Sequence, residues 1–222
     1  ANSAVAQPAA QDTTQDEDDI RNWTPRAEDG PAWRSVDEEA WRDDRIERMD
    51  FGPCLGATVT IRDAAGNELV RAHKGIAFRL GGSEGQPQAV LVYDRNLLQC
   101  QGGWVGGDLT HDDMRYGLLD QPANPVPPIW HAPASLAWAD GPNQFVADRP
   151  TPFFPIDPAQ GSYRSLSMYG DRCVLSYQVH GVSVLESPML EGQDDTWAIS
   201  RHLEVEARDR DLWLRIVPED QA

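Results

Sequence analysis

Residues Ser162–Leu190 contain three strand-like segments joined by two short turns, and this pattern strongly limits the possible folds. Apolar and polar residues alternate within each segment, as expected for strands with one buried face. Gly170-Asp171 and Gly181 separate the segments, and these residue types favour the tight turns of hairpins. The pattern predicts consecutive antiparallel hairpins.

The same alternation recurs through most of the chain after residue 50. ATVTIRD, ELVRAHKGIAFRLG and AVLVYDRNLLQC each predict a strand, and Thr196–Glu219 predicts a final hairpin that turns near Arg208–Asp211. Residues 108–160 are irregular and rich in proline, which predicts a long loop that is functional or packs on a partner. Short strands at roughly ten-residue spacing predict an all-β domain over residues 51–222, an antiparallel β-sandwich or jelly-roll-like fold.

Residues 1–50 are predicted to form an irregular acidic N-terminal arm. Residues 1–19 have few large apolar side chains and end in DEDD, which predicts partial disorder. The capping box SVDE predicts a short helix over Val36–Met49. We expect Trp23, Trp33 and Trp41 to anchor the arm on the domain or on a partner subunit, because highly charged segments with spaced tryptophans rarely fold alone.

The charge balance excludes one class of partner. With 36 Asp and Glu against 19 Lys and Arg residues, the formal net charge is −17, which repels nucleic acids and anionic lipids. Such acidity is typical of a well-solvated protein outside the cytoplasm, or alternatively of one that attracts a basic partner. No apolar run approaches the ~20 residues of a membrane-spanning helix.

The first residues of the chain bear on its localisation. ANSAVAQPAAQ resembles the start of a mature exported protein, which predicts a periplasmic or secreted location with the signal peptide already removed; a trimmed fragment would begin similarly.

Cys54, Cys100 and Cys173 allow at most one disulfide. We expect Cys100 and Cys173 to be small buried side chains, since both lie in apolar strand patterns. No CxxCH motif for covalent haem occurs.

The segment Tyr93–Gly107, YDRNLLQCQGGWVGG, contains the main candidate site. Trp104 lies between two pairs of glycines, which let either a ligand or the chain's own sheet approach the backbone closely. One hypothesis makes Trp104 a platform on which a sugar ring stacks. Polar contacts would come from four nearby residues, Asp94, Arg95, Asp108 and Arg115. The other hypothesis makes Trp104 a core aromatic residue and Asp94–Arg95 a turn-capping or ion pair.

The sequence shows no complete catalytic or metal-binding constellation. Glu186 and Asp171 are the acids best placed for hydrolysis, but neither has an identifiable partner, and GxSxG is absent. His111-Asp112-Asp113 together with Asp108 allows a structural calcium site, although the usual loop signature is missing. We therefore expect no catalytic residue, no bound metal and no cofactor.

Six motifs occur in a fixed order along the chain. They are MDFGPCLGATV, HKGIAFRLG, YDRNLLQCQGGWVGG, RYGLLD, DRPTPF and YRSLSMYGDRCVLSYQVHGVSVLESP. In this order they resemble the secreted domain of unknown function DUF6797 over roughly Met49–Pro188. In that family the domain commonly precedes a propeller resembling sugar dehydrogenases and a c-type cytochrome domain. The resemblance implies a supporting role in a periplasmic oxidoreductase, with the propeller or cytochrome as a separate subunit here.

These observations lead to three functional hypotheses. The first is a non-catalytic accessory subunit of an exported electron-transfer complex, which binds a c-type cytochrome or a propeller dehydrogenase through the arm tryptophans and the Pro-rich loop Pro122–Trp130. The second is a carbohydrate-binding module that stacks sugars on Trp104, Trp130 and Trp138. The third, a hydrolase that uses Glu186, has the least support.

Overall fold

The computed structural model describes residues 52–110, 122–142, 144–147, 151–193 and 196–216. Regular secondary structure in these ranges consists entirely of β-strands, which confirms the all-β prediction. The strands are β1 (Cys54–Arg62), β2 (Glu68–Gly81), β3 (Gln88–Asp94), β4 (Gln99–Val105), β5 (Trp130–His131), β6 (Trp138–Ala139), β7 (Gly161–Tyr169), β8 (Arg172–Val179), β9 (Val182–Gln193), β10 (Thr196–Val205) and β11 (Trp213–Leu214).

These strands form three antiparallel sheets. The largest has the order β1-β2-β3-β4-β5, the second has the order β10-β9-β8-β7, and β11 pairs with β6. Strands that follow one another in sequence are neighbours within both larger sheets, as expected for chains of hairpins. The finer sandwich or jelly-roll arrangement stays a prediction.

Strand β3 lies in the middle of the five-stranded sheet and is buried on both faces. Ala89, Leu91 and Tyr93 belong to one hydrophobic cluster, whereas Val90 and Val92 belong to another. The two-residue repeat of a strand explains this division, because successive side chains point to opposite faces. The sheet therefore has a hydrophobic core on each side.

The first core joins the two larger sheets. Tyr93 of the five-stranded sheet shares it with Leu175, Tyr177 and Val184 of the four-stranded sheet. The ring centroids of Tyr93 and Tyr177 lie 6.1 Å apart, and the Trp138 ring lies 6.2 Å from that of Tyr177. Aromatic pairs at such distances contribute stability beyond the area that they bury.

The second core lies on the opposite face of the five-stranded sheet, and Trp104 is its largest member. The Pro-rich loop packs on this side. The backbone N–H of Thr60 on β1 donates to the carbonyl of Pro122 at 3.0 Å, and Val126 packs against the core. Part of this loop therefore contacts its own domain.

One predicted strand, AVLVYDRNLLQC, is in fact a hairpin. Strand β3 ends at Asp94, a short turn follows, and β4 begins at Gln99. The Asp94 carboxylate accepts hydrogen bonds from the backbone N–H groups of Asn96 at 2.8 Å and Leu97 at 3.3 Å. The prediction was wrong because this turn lacks Gly and Pro and buries Leu97 and Leu98, so its sequence is typical of a continuous strand.

The predicted final hairpin is also wrong. Strand β10 pairs with β9, whereas β11 pairs with β6, so the two segments belong to different sheets. Alternation within a segment shows that one of its faces is buried, but it does not specify the partner strand. The register of β10 along β9 is continuous from Thr196 to Val205.

The predictions for the N-terminal arm concern residues outside the described ranges. They include Trp23, Trp33 and Trp41 and the helix over Val36–Met49. Within the described ranges, no helix is long and apolar enough to cross a membrane.

Candidate functional site

A buried ion pair lies where the two larger sheets meet. Glu186 of β9 is fully buried, and its Oε1 accepts a hydrogen bond from Nε of Arg201 on β10 at 2.5 Å. Its Oε2 accepts a hydrogen bond from the hydroxyl of Tyr177 on β8 at 2.7 Å. Charge-assisted hydrogen bonds of this kind fix the carboxylate and offset the cost of its desolvation.

The Cys100 thiol of β4 completes this group, which we call the Glu186 cluster (Cys100, Tyr177, Glu186 and Arg201). Its Sγ donates a weak hydrogen bond to Oε1 of Glu186 at 3.7 Å. Burial raises the pKa of the Cys100 thiol, and burial together with the neighbouring Glu186 raises the pKa of the Tyr177 hydroxyl. Both groups are therefore neutral hydrogen-bond donors at pH 7.

Strand alternation explains why Glu186 faces inward. Strand β9 buries Val184, Glu186 and Pro188 but exposes Leu185. Arg201 lies opposite Pro188 on the neighbouring strand, so its side chain reaches Glu186 diagonally. A fully buried and paired carboxylate leaves no room for a substrate, so the geometry gives no support to the hydrolase hypothesis for Glu186.

Trp104 lies in the second core with none of its surface exposed. Its indole N–H donates to the carbonyl of Gly107 at 3.1 Å. At Gly102, an added Cβ would lie 2.7 Å from Cδ1 of Ile61 and 2.9 Å from the carbonyl oxygen of Trp130. The close approach that this glycine permits is therefore made by the chain's own strands, and Trp104 presents no ring face on which a sugar could stack.

Two acidic residues beside the glycine-rich stretch have partners within the domain. Asp94 is buried and caps the turn between β3 and β4, the geometry that the alternative hypothesis gave it. Asp108 forms an ion pair with Arg79 at 2.6 Å and also accepts a hydrogen bond from the backbone N–H of Leu109. These contacts give both carboxylates a structural role.

The remaining predicted site residues do not gather around Trp104. Trp138 is buried, and Trp130 is half-buried where β5 pairs with Gly103 of β4. The three tryptophans of the carbohydrate hypothesis therefore do not form an exposed stacking surface. Outside the described ranges lie Arg115, His111, Asp112, Asp113 and the arm residues Trp23, Trp33 and Trp41.

Arg95, by contrast, lines an open cavity of about 420 Å³. Lys74, Arg95, Phe153 and Tyr163 supply its cationic and aromatic side chains, and we call this cavity the aromatic–cationic groove. The other lining residues are Asn96, Pro155, Ile156, Pro158, Gly161 and Ser162. Its volume falls in the range of ~300–1,000 Å³ that is common for small-ligand sites.

Hydrogen bonds and a ring contact build the wall of the groove. The side-chain amide of Asn96 donates to the carbonyl of Phe153 at 2.9 Å, and the ring centroids of His73 and Phe153 lie 4.6 Å apart. The backbone N–H of Arg95 donates to the carbonyl of Lys74 at 3.1 Å. These contacts join β2, the β3–β4 turn and the segment that contains Phe153.

Two cationic side chains line the groove although the protein is acidic. Lys74 and Arg95 are exposed, and neither forms an ion pair with a carboxylate of the described ranges. Partial burial raises the pKa of the Tyr163 hydroxyl, and the nearby Arg95 opposes this shift. A cation, a neutral hydroxyl donor and an exposed ring can together bind a ligand that has both negative charge and apolar surface.

The sequence analysis selected Arg95 but missed its neighbours Lys74, Phe153 and Tyr163. They come from distant segments that meet only in the folded domain. Two signals could have found them: Lys74 is the chain's sole lysine, and Phe153-Phe154 is an apolar pair inside a Pro-rich, irregular segment. Both phenylalanines are exposed in the structure.

Comparison with known proteins identifies one family. The model of the family described as domain of unknown function (DUF6797) matches residues 91–186. This range runs from β3 into β9 and includes Arg95, Phe153 and Tyr163 of the groove as well as Glu186. No curated protein and no solved structure matches the chain. This match over residues 91–186 agrees with the DUF6797 resemblance that the ordered motifs indicated.

Proposed function

We propose that this domain is a non-catalytic accessory subunit of an exported oxidoreductase or electron-transfer complex, and that the aromatic–cationic groove contacts its partner. One observation carries the proposal. A protein of net charge −17 has an open groove lined by Lys74 and Arg95, with no acidic residue among the described residues that line it. Folding does not require such a local reversal of charge, whereas recognition of a partner benefits from it.

The positions and partners of three candidate acidic residues support a non-catalytic role. Glu186 is sealed in the core, Asp94 caps a turn, and Asp108 pairs with Arg79. A carboxylate that acts as a general acid or base must lie within hydrogen-bond reach of a substrate. None of these three carboxylates meets that requirement in the folded domain.

The chemistry of the groove favours a protein segment with acidic and apolar side chains. Phe153 is 62% exposed and Phe154 is 54% exposed, so a partner in solution can reach both rings. Aromatic and arginine side chains are enriched among the residues that contribute most to protein–protein affinity. We expect a carboxylate of the partner to pair with Arg95 while an apolar side chain packs on Phe153.

The acidity of the rest of the chain and the family resemblance support the proposed kind of partner. A net charge of −17 attracts proteins with basic surfaces and speeds their association. The resemblance implies a c-type cytochrome or a propeller dehydrogenase as the neighbour of this domain. The proposed complex thus combines broad attraction by the acidic surface with local contact at the groove.

The test is purification of the full-length protein from its native host under non-denaturing conditions. The readouts are haem absorbance and dehydrogenase activity in the same fraction as the protein. We expect the wild type to co-purify with one of these activities, and the Lys74→Glu/Arg95→Glu variant to lose it, because two attractive charges become repulsive.

Arg172→Glu is the matched control, since Arg172 is exposed at the start of β8 and does not line the groove. It should retain the partner. A wild-type protein that elutes alone, with neither haem absorbance nor dehydrogenase activity, would contradict the accessory role. A charge-reversed groove that still retains the partner would contradict the assignment of the groove.

A second function, binding of acidic carbohydrate, is favoured by the exposed Phe153 ring beside Arg95 and Lys74. The ring offers a stacking face, and the two cations match the carboxylates of uronic acids. Calorimetric titration with an oligouronate and with a neutral oligosaccharide of equal length distinguishes it. Saturable binding of the oligouronate that Phe153→Ala abolishes would support this function, whereas no heat at millimolar ligand would exclude it.

A further inference from the structure

Three sulfur atoms from three strands meet at one edge of the two larger sheets. Sγ of Cys54 on β1 lies 3.7 Å from Sδ of Met168 on β7. Met168 and Cys173 are directly opposite each other in the β7–β8 ladder, and Cys54 lies near enough to Cys173 to influence its pKa. All three cysteines of the chain are free thiols in this structure.

The side chains of Cys54, Met168 and Cys173, which we call the sulfur group, are buried on one side and exposed to solvent on the other. Cys173 is only 4% exposed and packs in the first core, Cys54 is half-buried, and Met168 is 62% exposed. A thioether at the surface with two thiols behind it gives an ion a path from solvent to a partly desolvated position.

We propose that Cys54, Met168 and Cys173 form a binding site for a soft monovalent metal ion, Cu(I). Thiolate and thioether ligands select soft ions, whereas carboxylate and imidazole groups suit harder ones. A three-coordinate site with metal–sulfur bonds of ~2.3 Å places its sulfur atoms roughly 4 Å apart. The Cys54–Met168 separation of 3.7 Å is close to that spacing before any ligand is bound.

The surroundings of the sulfur group also match Cu(I) better than zinc. Among the described residues, no group of three or more His, Cys, Asp or Glu side chains could hold a metal ion. Zinc sites are usually completed by four such ligands in a tetrahedron. Two cysteines and a methionine supply three donors, which suits the low coordination number of Cu(I).

Binding exchanges protons for the metal without a redox step. Each thiol loses one proton when its sulfur bonds to the ion, so one Cu(I) displaces two protons and leaves a bis-thiolate complex with the neutral Met168 thioether. Protons therefore compete with the metal for the two sulfur atoms, and the apparent affinity should rise by up to roughly 100-fold per pH unit while both thiols are protonated.

The experiment uses the full-length chain, kept anaerobic and reduced, and titrates it with Cu(I) alone in competition with a chromophoric Cu(I) chelator. We expect one high-affinity ion per chain and release of two protons. Cys54→Ser should abolish this binding. Met168→Leu should weaken it by at least about tenfold, since even lost outer contacts of a metal site commonly cost that much.

Two controls separate the site from general thiol and thioether binding. Cys100→Ala removes the buried thiol of the Glu186 cluster, and Met189→Leu removes a methionine of β9 that is not part of the sulfur group. Both variants should bind Cu(I) as the wild type does. Met168 is exposed, so Met168→Leu keeps the fold, and circular dichroism of each variant checks this point.

Several outcomes would overturn the proposal. They are a stoichiometry of zero, equal weakening by Met168→Leu and Met189→Leu, and loss of binding in Cys100→Ala. A Cys54–Cys173 disulfide in the protein as isolated from its native host would also overturn it. In that case both thiols give up their protons and two electrons to a disulfide oxidant of the cell envelope, and no thiolate remains for copper. Mass spectrometry of the alkylated native protein detects this disulfide.

Discussion

The Glu186 cluster and the aromatic–cationic groove use similar residue types in opposite ways. Both place an arginine near an aromatic hydroxyl, Arg201 near Tyr177 and Arg95 near Tyr163. Arg201 has a fully buried carboxylate as its partner, whereas Arg95 is exposed and forms no ion pair with the carboxylates that the structure describes. The comparison shows that solvent access and an internal counter-charge decide whether an arginine stabilises the fold or remains available for binding.

The energetic reason is the cost of desolvation. Burying Glu186 and Arg201 removes both charges from water, and their attraction together with the Tyr177 hydroxyl must offset that cost. An exposed cation has no such cost and contributes little to stability, so it can form a strong contact when a ligand excludes water around it.

Breaking the buried pair should give the largest effect. Glu186→Gln leaves the Arg201 charge buried without a counter-charge, and we expect the free energy of unfolding to fall by about 3–5 kcal/mol. Glu186→Leu/Arg201→Met removes both charges and should recover most of that loss. Urea denaturation measures both values.

A partly exposed ion pair supplies the control for this experiment. Asp108→Asn breaks the pair with Arg79 and should lower the free energy of unfolding by less than ~1 kcal/mol, because both side chains reach solvent. If Glu186→Gln cost no more than Asp108→Asn, the buried pair would contribute no more to the stability of the fold than a surface pair does.

The glycine-rich stretch should be sensitive to a single methyl group. In Gly102→Ala the new Cβ would press on Ile61 and on the backbone of Trp130, so we expect a loss of about 1–3 kcal/mol. Gly56→Ala is the control, since its Cβ would meet nothing within 4 Å. Equal melting temperatures for the two variants would show that the strands around Gly102 are not tightly packed.

Alkaline pH should destabilise the fold through its buried thiol and phenol groups. In the folded protein the pKa values of Cys100, Tyr93 and Tyr177 are raised, so the unfolded chain releases these protons at lower pH than the folded chain does. The free energy of unfolding should therefore stay level to about pH 8 and fall above the unfolded pKa values, ~8.5 for cysteine and ~10 for tyrosine.

Chemical denaturation at pH 7 to 11 measures this profile, and Tyr177→Phe and Cys100→Ala should each make the decline shallower. A stability that rose with pH across this range would show that folding lowers these pKa values instead of raising them.

Groove substitutions should have the smallest effect on stability. Arg95→Ala and Phe153→Ala should each change the free energy of unfolding by less than about 0.5 kcal/mol, because both side chains are exposed. Urea denaturation of these variants beside Arg201→Ala makes the comparison direct. A large loss in Arg95→Ala would mean that the groove is part of the folding core.

Much of the fold follows from local patterns. Gly170 and Gly181 marked the turns that join β7, β8 and β9, and both adopt the positive φ that favours glycine. The β3–β4 turn escaped prediction because Asp94 caps it by side-chain hydrogen bonds and Leu97 and Leu98 are buried. Asp94 is a turn-forming residue of the usual kind, but the apolar Leu97 and Leu98 beside it give the segment the pattern of a continuous strand.

The candidate site was less predictable than the fold. Trp104 stood out among glycines, yet Gly102 and Gly103 make room for other strands, and the Trp104 ring is buried in the core. Arg95 was selected, but Phe153 and Tyr163 approach it only through long-range contacts. The Glu186–Arg201 pair depends on the register of β9 against β10, which the sequence of neither strand specifies alone.

The most direct measurement of this contrast is the rate at which phenylglyoxal modifies each arginine of the native protein, followed by mass spectrometry. Because Arg95 is exposed to solvent and Arg201 is buried, Arg95 should react at least roughly 100-fold faster. Arg201 becomes reactive only when the core unfolds locally. Equal rates for Arg95 and Arg201 in the folded protein would contradict the account.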